Sequence, residues 1–266
     1  MKIQNVPVPK LRHTLSDFPR AGLEIQSLLL AMPLLQNAAH GDDHPVLVIP
    51  GLGGGVGSTS LLRRWLSRHH FNSQPWSVGR NLPEHRMGNL DEALRFRQKM
   101  VHILSLRVQE LHHLHGRKIS LVGWSLGGLY AMDVARQHPE LIRQVITLGT
   151  PHGDPRGTAV WGIFEKLYHD KQIPQESNIK AWLGNNFDAP CPVPTTVIYS
   201  PCDGFVSTST AKLPSSTGAA HLTVRSSHAG LTINPRVYWL IANRLAQPEN
   251  QEKALHKAGI PWLIQL

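Results

Sequence analysis

Gly123-Trp124-Ser125-Leu126-Gly127-Gly128 sets a serine between glycines in the pattern G-x-S-x-G. The apolar run Ile119-Ser120-Leu121-Val122 precedes it, and small and apolar residues at helical spacing follow from Leu126 to about His138. A strand, tight turn and helix of this kind hold the serine in a strained conformation, and the flanking positions must lack bulk so that the helix and neighbouring strands can close in. Gly123 and Gly127 meet that need. A serine hydroxyl attacks a carbonyl only once a base takes its proton, and the base needs an orienting acid, so a histidine and a carboxylate are required further along. Other chemistries fit less well. The glycines from Gly51 to Gly57 are out of register for G-x-G-x-x-G and lack the Lys-Ser/Thr ending of a phosphate-binding loop. No H-E-x-x-H or cysteine cluster suggests a metal. His112, His113 and His115 read as a solvated helix end without a carboxylate partner.

The elements that must position the serine are legible as alternating patterns. Val46-Leu47-Val48-Ile49 is a β-branched run ending in glycines, as expected for a strand buried on both faces. A helix is predicted from about Thr59 to His70. A longer one is capped by Asn89, has Asp91 and Glu92 in its first turn, and ends near His113 before Gly116. Val145 to Leu148, Thr195 to Tyr199 and Leu222 to Val224 are further strand candidates. A last helix spans Pro235 to about Leu245 behind Asn234. The alternation predicts an α/β fold, a mainly parallel sheet with helices on both faces.

Residues 1–44 read as a helical segment packed on this core, residues 45–246 as the α/β domain, and 247–266 as a tail. Apolar positions at helical spacing over residues 15–37 give the N-terminal helix, with Pro33 as a candidate kink. Contact with an anionic membrane surface is the alternative role for that helix, given the basic body. Residues 152–190 break the alternation and are expected to form a lid or binding-site wall, with an amphipathic stretch from Trp161 to Tyr168.

With 266 residues, 41% hydrophobic and 17% charged, the chain has the composition of an ordinary globular protein. Its formal net charge of +9 would suit anionic partners, but no basic run is interleaved with aromatics, which argues against nucleic acid. Cys191 and Cys202 flank the Thr195 to Tyr199 strand candidate, which would hold them on the order of 20 Å apart, too far for a disulfide. Free thiols fit a reducing compartment. The apolar stretch Leu28 to Leu35 is too short to span a bilayer and lies too far from the start for a signal peptide. Cytoplasmic residence is the expectation.

From about Pro45 to Leu245 the chain resembles the α/β-hydrolase superfamily. Beyond the serine motif, Pro50-Gly51-Leu52-Gly53-Gly54-Gly55 and Gly149-Thr150-Pro151-His152 resemble the Gly-rich loop and Gly-Thr-Pro-His segment of lipases and esterases. The resemblance implies the order serine, acid, histidine. Asp203, just past the Thr195 to Tyr199 strand, is then the acid expected at the sheet's C-terminal edge, whereas Asp188 precedes that strand. Of His221, His228 and His256, which follow Asp203, only His228 falls between the last strand and the last helix. His221 begins the strand and His256 lies in the tail. Backbone N–H groups of Leu126 and Leu52 would stabilise an oxyanion. Pro50-Gly51 replaces the His-Gly of many relatives, which bears on the loop's shape more than its role.

The expected function is hydrolysis of small-molecule or lipid carboxylic esters through an acyl-enzyme on Ser125, with no cofactor and no metal. An acyltransferase or thioesterase would use the same residues. A non-catalytic binding protein on this scaffold would have no need of all three.

Overall fold

Val46-Leu47-Val48-Ile49 has no polar face to offer water, so it can be a strand only where both sheet faces are covered. The computed structural model describes residues 6–85, 87–161, 176–184 and 186–249. Its strands are β1 (Pro45–Ile49), β2 (Asn72–Pro75), β3 (Ile119–Trp124), β4 (Ile142–Leu148), β5 (Thr195–Tyr199) and β6 (Ala220–Thr223). They form one sheet in the order β2-β1-β3-β4-β5-β6, and each neighbouring pair is parallel. The inner four are buried almost throughout, while the edge strands β2 and β6 are only partly covered.

The helices divide between the two faces. α1 (Leu11–Leu35), α2 (Ser60–Arg68) and α6 (Pro235–Leu245) cover one face, against Val46, Val48, Val122, Ile146 and Ile198. α3 (Leu90–His115) and α4 (Leu126–Gln137) cover the other, against Leu47, Ile49, Leu121, Val145 and Val197. Alternate residues of each strand thus feed different cores. α5 (Glu176–Leu183) lies against α3.

Local signals explain the helix ends. The Asn89 side chain accepts from Glu92 N, the Glu92 carboxylate accepts from Gly88 N, and Gly116 closes α3 in the left-handed conformation. Asn234 accepts from Arg236 N and Val237 N to start α6.

β2 and α1 differ from the sequence reading. β2 is the polar segment Asn72-Ser73-Gln74-Pro75, which lacks an apolar pattern because it forms an edge where proline is tolerated. α1 starts at Leu11 rather than residue 15 and continues through both Pro19 and Pro33. Within 152–190, residues 162–175 and 185 lie outside the described residues, as does most of the Trp161 to Tyr168 stretch. The described parts of that insertion are tethered. Arg97 Nη1 donates to the Trp182 carbonyl while its guanidinium lies 5.2 Å from the Trp182 ring centroid, and Ser207 N donates to Gly157 O. Most of the 247–266 tail also falls outside. Cys191 and Cys202 are free thiols on either side of β5.

Because the chain leaves β1 toward β2 and then returns to place β3 on β1's other side, the strand order reverses there. A crevice opens beyond the C-terminal ends of strands flanking such a reversal. The loops after β1 and β3 carry Leu52 and Ser125.

Candidate active site

Ser125 links β3 to α4 with φ 54° and ψ −124°, a conformation that side-chain-bearing residues rarely adopt. The strain is maintained by crowding. A Cβ on Gly123 would lie 2.5 Å from the Cα of Gly128, and one on Gly127 would lie 2.6 Å from the Ile49 and Pro50 carbonyl oxygens. Only glycine lets α4 start so close to β3 and β1. Leu126 is the first residue of α4, so its N–H has no partner within the helix and lies at the positive end of the helix dipole.

The Gly-rich loop runs against this elbow. A Cβ on Gly51 would lie 2.9 Å from the Ser125 Cβ. The loop's shape comes from a residue the sequence reading did not single out, the fully buried Asn81. Asn81 Nδ2 donates to Pro50 O, Asn81 N donates to Gly54 O, and Gly53 N donates to Asn81 O. The Tyr130 hydroxyl in turn donates to Asn81 Oδ1 at 3.1 Å. Leu52 therefore sits in a loop fixed on both sides.

Asp203 and His228 come from the loops after β5 and β6 and meet at 2.8 Å, His228 Nδ1–H donating to Asp203 Oδ2. A carboxylate only accepts, so this bond assigns the proton to Nδ1 and leaves Nε2 free to receive one. The other Asp203 oxygen accepts from Phe205 N and Val206 N at 2.7 and 2.8 Å, which fixes the carboxylate's orientation. Ser200 ties the two loops together, its hydroxyl donating to Ser226 O at 2.6 Å and accepting from Ser226 N.

Trp124, the residue before Ser125, connects the elbow to this pair. Its Nε1–H donates to His228 O at 3.1 Å, and its ring centroid lies 5.7 Å from that of His228. Phe205 flanks the imidazole at 5.3 Å.

The backbone of His228 is held from α1. The carboxylate of Asp17, completely buried, accepts from His228 N at 2.7 Å, Ala229 N at 3.0 Å and Gly204 N at 3.1 Å. One residue thus anchors the loop carrying the acid and the loop carrying the histidine. Glu24, two turns on, accepts from Ser227 N at 2.7 Å, from the Ser226 hydroxyl and from Asn234 Nδ2. Sequence reasoning missed Asp17 and Glu24 because nothing local signals a partner some 200 residues away.

Burial alone would push the His228 imidazole down. The charge and hydrogen bond of Asp203 outweigh it, with the charge of Asp17 added, and the histidine is raised above the ordinary range.

The other histidines and acids considered lie apart from this cluster. His221 sits in β6 and accepts from Leu213 N, the Asp188 carbonyl accepts from Ser216, and His112 faces the Arg117 carbonyl at the end of α3. His256 is outside the described residues. Among the described residues no group of histidine, cysteine and carboxylate side chains could hold a metal ion.

No family model matches the chain, and no curated protein resembles it significantly in sequence. Solved structures do resemble it. Lipase B of Aspergillus fumigatus is 17% identical with a TM-score of 0.55, over 80% of this chain and 55% of that one, so the chain spans about half of the fungal lipase. A lipase-esterase related protein from Clostridium acetobutylicum is 14% identical over 77% of this chain and 96% of its own, with a TM-score of 0.55. A Bacillus licheniformis lipase in its mature form is 17% identical over 79% of this chain and 95% of its own, with a TM-score of 0.54. At such identities the likeness is one of architecture, and together with the six-stranded parallel sheet covered on both faces it means that the chain has the α/β-hydrolase fold.

Proposed function

We propose that this protein hydrolyses carboxylic esters through an acyl-enzyme on Ser125. The observation that carries the reading is the Asp203–His228 hydrogen bond at 2.8 Å, fixed to the same sheet edge as a serine in a strained turn. His228 Nε2 takes the Ser125 proton as the hydroxyl oxygen attacks the ester carbonyl, and Asp203 stabilises the imidazolium that forms. The N–H groups of Leu126 and Leu52 receive the oxyanion. As the tetrahedral intermediate collapses, the imidazolium gives its proton to the departing alcohol. Water, deprotonated by the same imidazole, then attacks the acyl-serine and releases the acid. The lipase and esterase neighbours support an ester substrate, and residues 152–190 are assigned the acyl-site wall. The chemistry calls for no cofactor.

A fluorophosphonate probe tests the reading directly. The native protein is expected to label at one serine, and Ser125→Ala to abolish both labelling and p-nitrophenyl ester turnover. Loss of turnover should be about 10⁴-fold or more. A native protein that fails to label, or labels equally after Ser125→Ala, would make the chain a binding protein on this scaffold. Product analysis with an added alcohol separates the acyltransferase alternative, since predominant transfer to the acceptor in dilute buffer would make it an acyltransferase.

A further inference from the structure

α1 is amphipathic in the opposite sense to an ordinary surface helix. Leu11, Leu15, Phe18, Leu23, Leu29 and Leu30 are 62–82% exposed, while Asp17 is completely buried and Glu24 is bonded inward. At about 100° per residue, the exposed apolar positions, joined by Ile25, Pro19 and Pro33, fill an outward arc roughly 160° wide along the whole helix. Arg12 and Gln26 are its only clearly polar members. A soluble chain rarely leaves so long a continuous apolar surface in water unless something covers it.

Charge identifies the occupant. Both carboxylates of the helix are turned into the protein, where backbone N–H and side-chain groups hold them. The outward arc therefore presents no anion. It carries Arg12, with Lys10 exposed at the helix start, on a chain of net charge +9. A second copy of the chain would bring another arginine and no carboxylate to that face. An anionic lipid surface offers both apolar depth and negative charge.

The arc also continues toward the catalytic cluster. Phe18 packs edge-on against Phe205 with centroids 6.0 Å apart, and Phe205 lies 5.3 Å from the His228 ring. We propose that α1 is an interfacial helix that seats the protein on anionic lipid bilayers, outer face in the headgroup and upper acyl region, with its inner face holding the His228 loop. No helix among the described residues is long and apolar enough to cross a membrane, so the helix would lie along the surface. If the ester reading above also holds, docking brings the site to a store of acyl esters, but the docking itself does not depend on turnover.

Vesicle flotation of the full chain tests this. The protein is expected to float with vesicles containing phosphatidylglycerol and much less with pure phosphatidylcholine, and high salt should weaken binding. The combined variant Leu15→Ser, Leu29→Ser, Leu30→Ser should bind about tenfold or more weakly, as should Arg12→Glu to a lesser degree. Those leucines are 64–82% exposed, so the triple variant should keep its melting temperature and its rate of fluorophosphonate labelling in solution. A native protein that stays with the aqueous fraction, or a folded triple variant that floats like native, overturns the proposal. So does a concentration-dependent dimer in sedimentation velocity that the triple variant abolishes and vesicles fail to dissociate. A chain that floats but does not label retains the docking and loses the hydrolase reading, and the converse result separates the two the other way.

Discussion

At the level of single residues, Asp17 links the helical N-terminal segment to the loops that carry Asp203 and His228. Its carboxylate accepts from three backbone N–H groups in the Asp203 and His228 loops, and its charge helps raise His228. Asp17→Asn keeps the shape, removes the charge and turns an amide donor toward N–H groups that need an acceptor. Such a buried mismatch should cost about 1–3 kcal/mol of stability. The effect on the proton also has a definite sign. Without the negative charge the imidazolium is less favoured, so the His228 pKa falls. Because the base works in its neutral form, the acid limb of kcat/KM on a soluble p-nitrophenyl ester should move to lower pH while kcat drops. An unmoved limb beside a lower kcat would leave Asp17 as a clamp without electrostatic influence on the base.

At the scale of elements, the inner strands and the elbow were readable because their chemistry is local. Four β-branched runs announced β1, β3, β4 and β5, and the glycines around Ser125 announced a turn that only glycine fits. β2 was not readable, since an edge strand with polar residues on both sides carries no period. Nor was the clamp on the Gly-rich loop, because Asn81 acts across a sequence gap that no spacing encodes. That clamp answers what Pro50-Gly51 left open, the shape of the loop. Asn81→Ala would strand the Pro50 carbonyl and the Tyr130 hydroxyl in a buried place, with a cost of about 1–3 kcal/mol. Gly51→Ala acts from the other side by pushing a methyl group to 2.9 Å from the Ser125 Cβ. Under the proposed mechanism both changes displace the Leu52 and Leu126 N–H groups relative to Ser125, so kcat should fall by about tenfold to a hundredfold. KM for a small ester should change far less. A normal kcat in Gly51→Ala would remove Leu52 from the oxyanion site.

For the molecule as a whole, the response to acid follows from two buried histidines at opposite ends of the sheet. His44, just before β1, contacts Ser120 Oγ at 2.9 Å and the Asp42 carboxylate, whose charge is shared with Arg117 and Arg143. Burial, with Arg143 nearby, pushes it down to about 4. His152, after β4, faces Thr147 Oγ1 at 3.0 Å and is pushed down to about 3, again chiefly by burial. Between the ordinary histidine pKa near 6.5 and those values, the unfolded chain binds protons that the folded chain refuses. Stability from these two groups is therefore full above that range and is lost as pH falls through it. His228 works in the other direction, contributing stability below about 6.5 that is lost as pH rises through its raised pKa. Below pH 6.5 the two depressed groups dominate the slope, and urea unfolding at pH 4.5 should show about 2 kcal/mol less stability per histidine than at pH 6.5. His152→Gln should flatten that slope, and a second substitution, His44→Gln, should flatten it further even though both lower stability at neutral pH. An unchanged slope in the double variant would assign acid sensitivity to other groups. Under the proposed mechanism the two acid effects are then separable, because protonation of His228 silences folded protein reversibly at higher pH, whereas protonation of His44 and His152 lowers the stability of the fold itself.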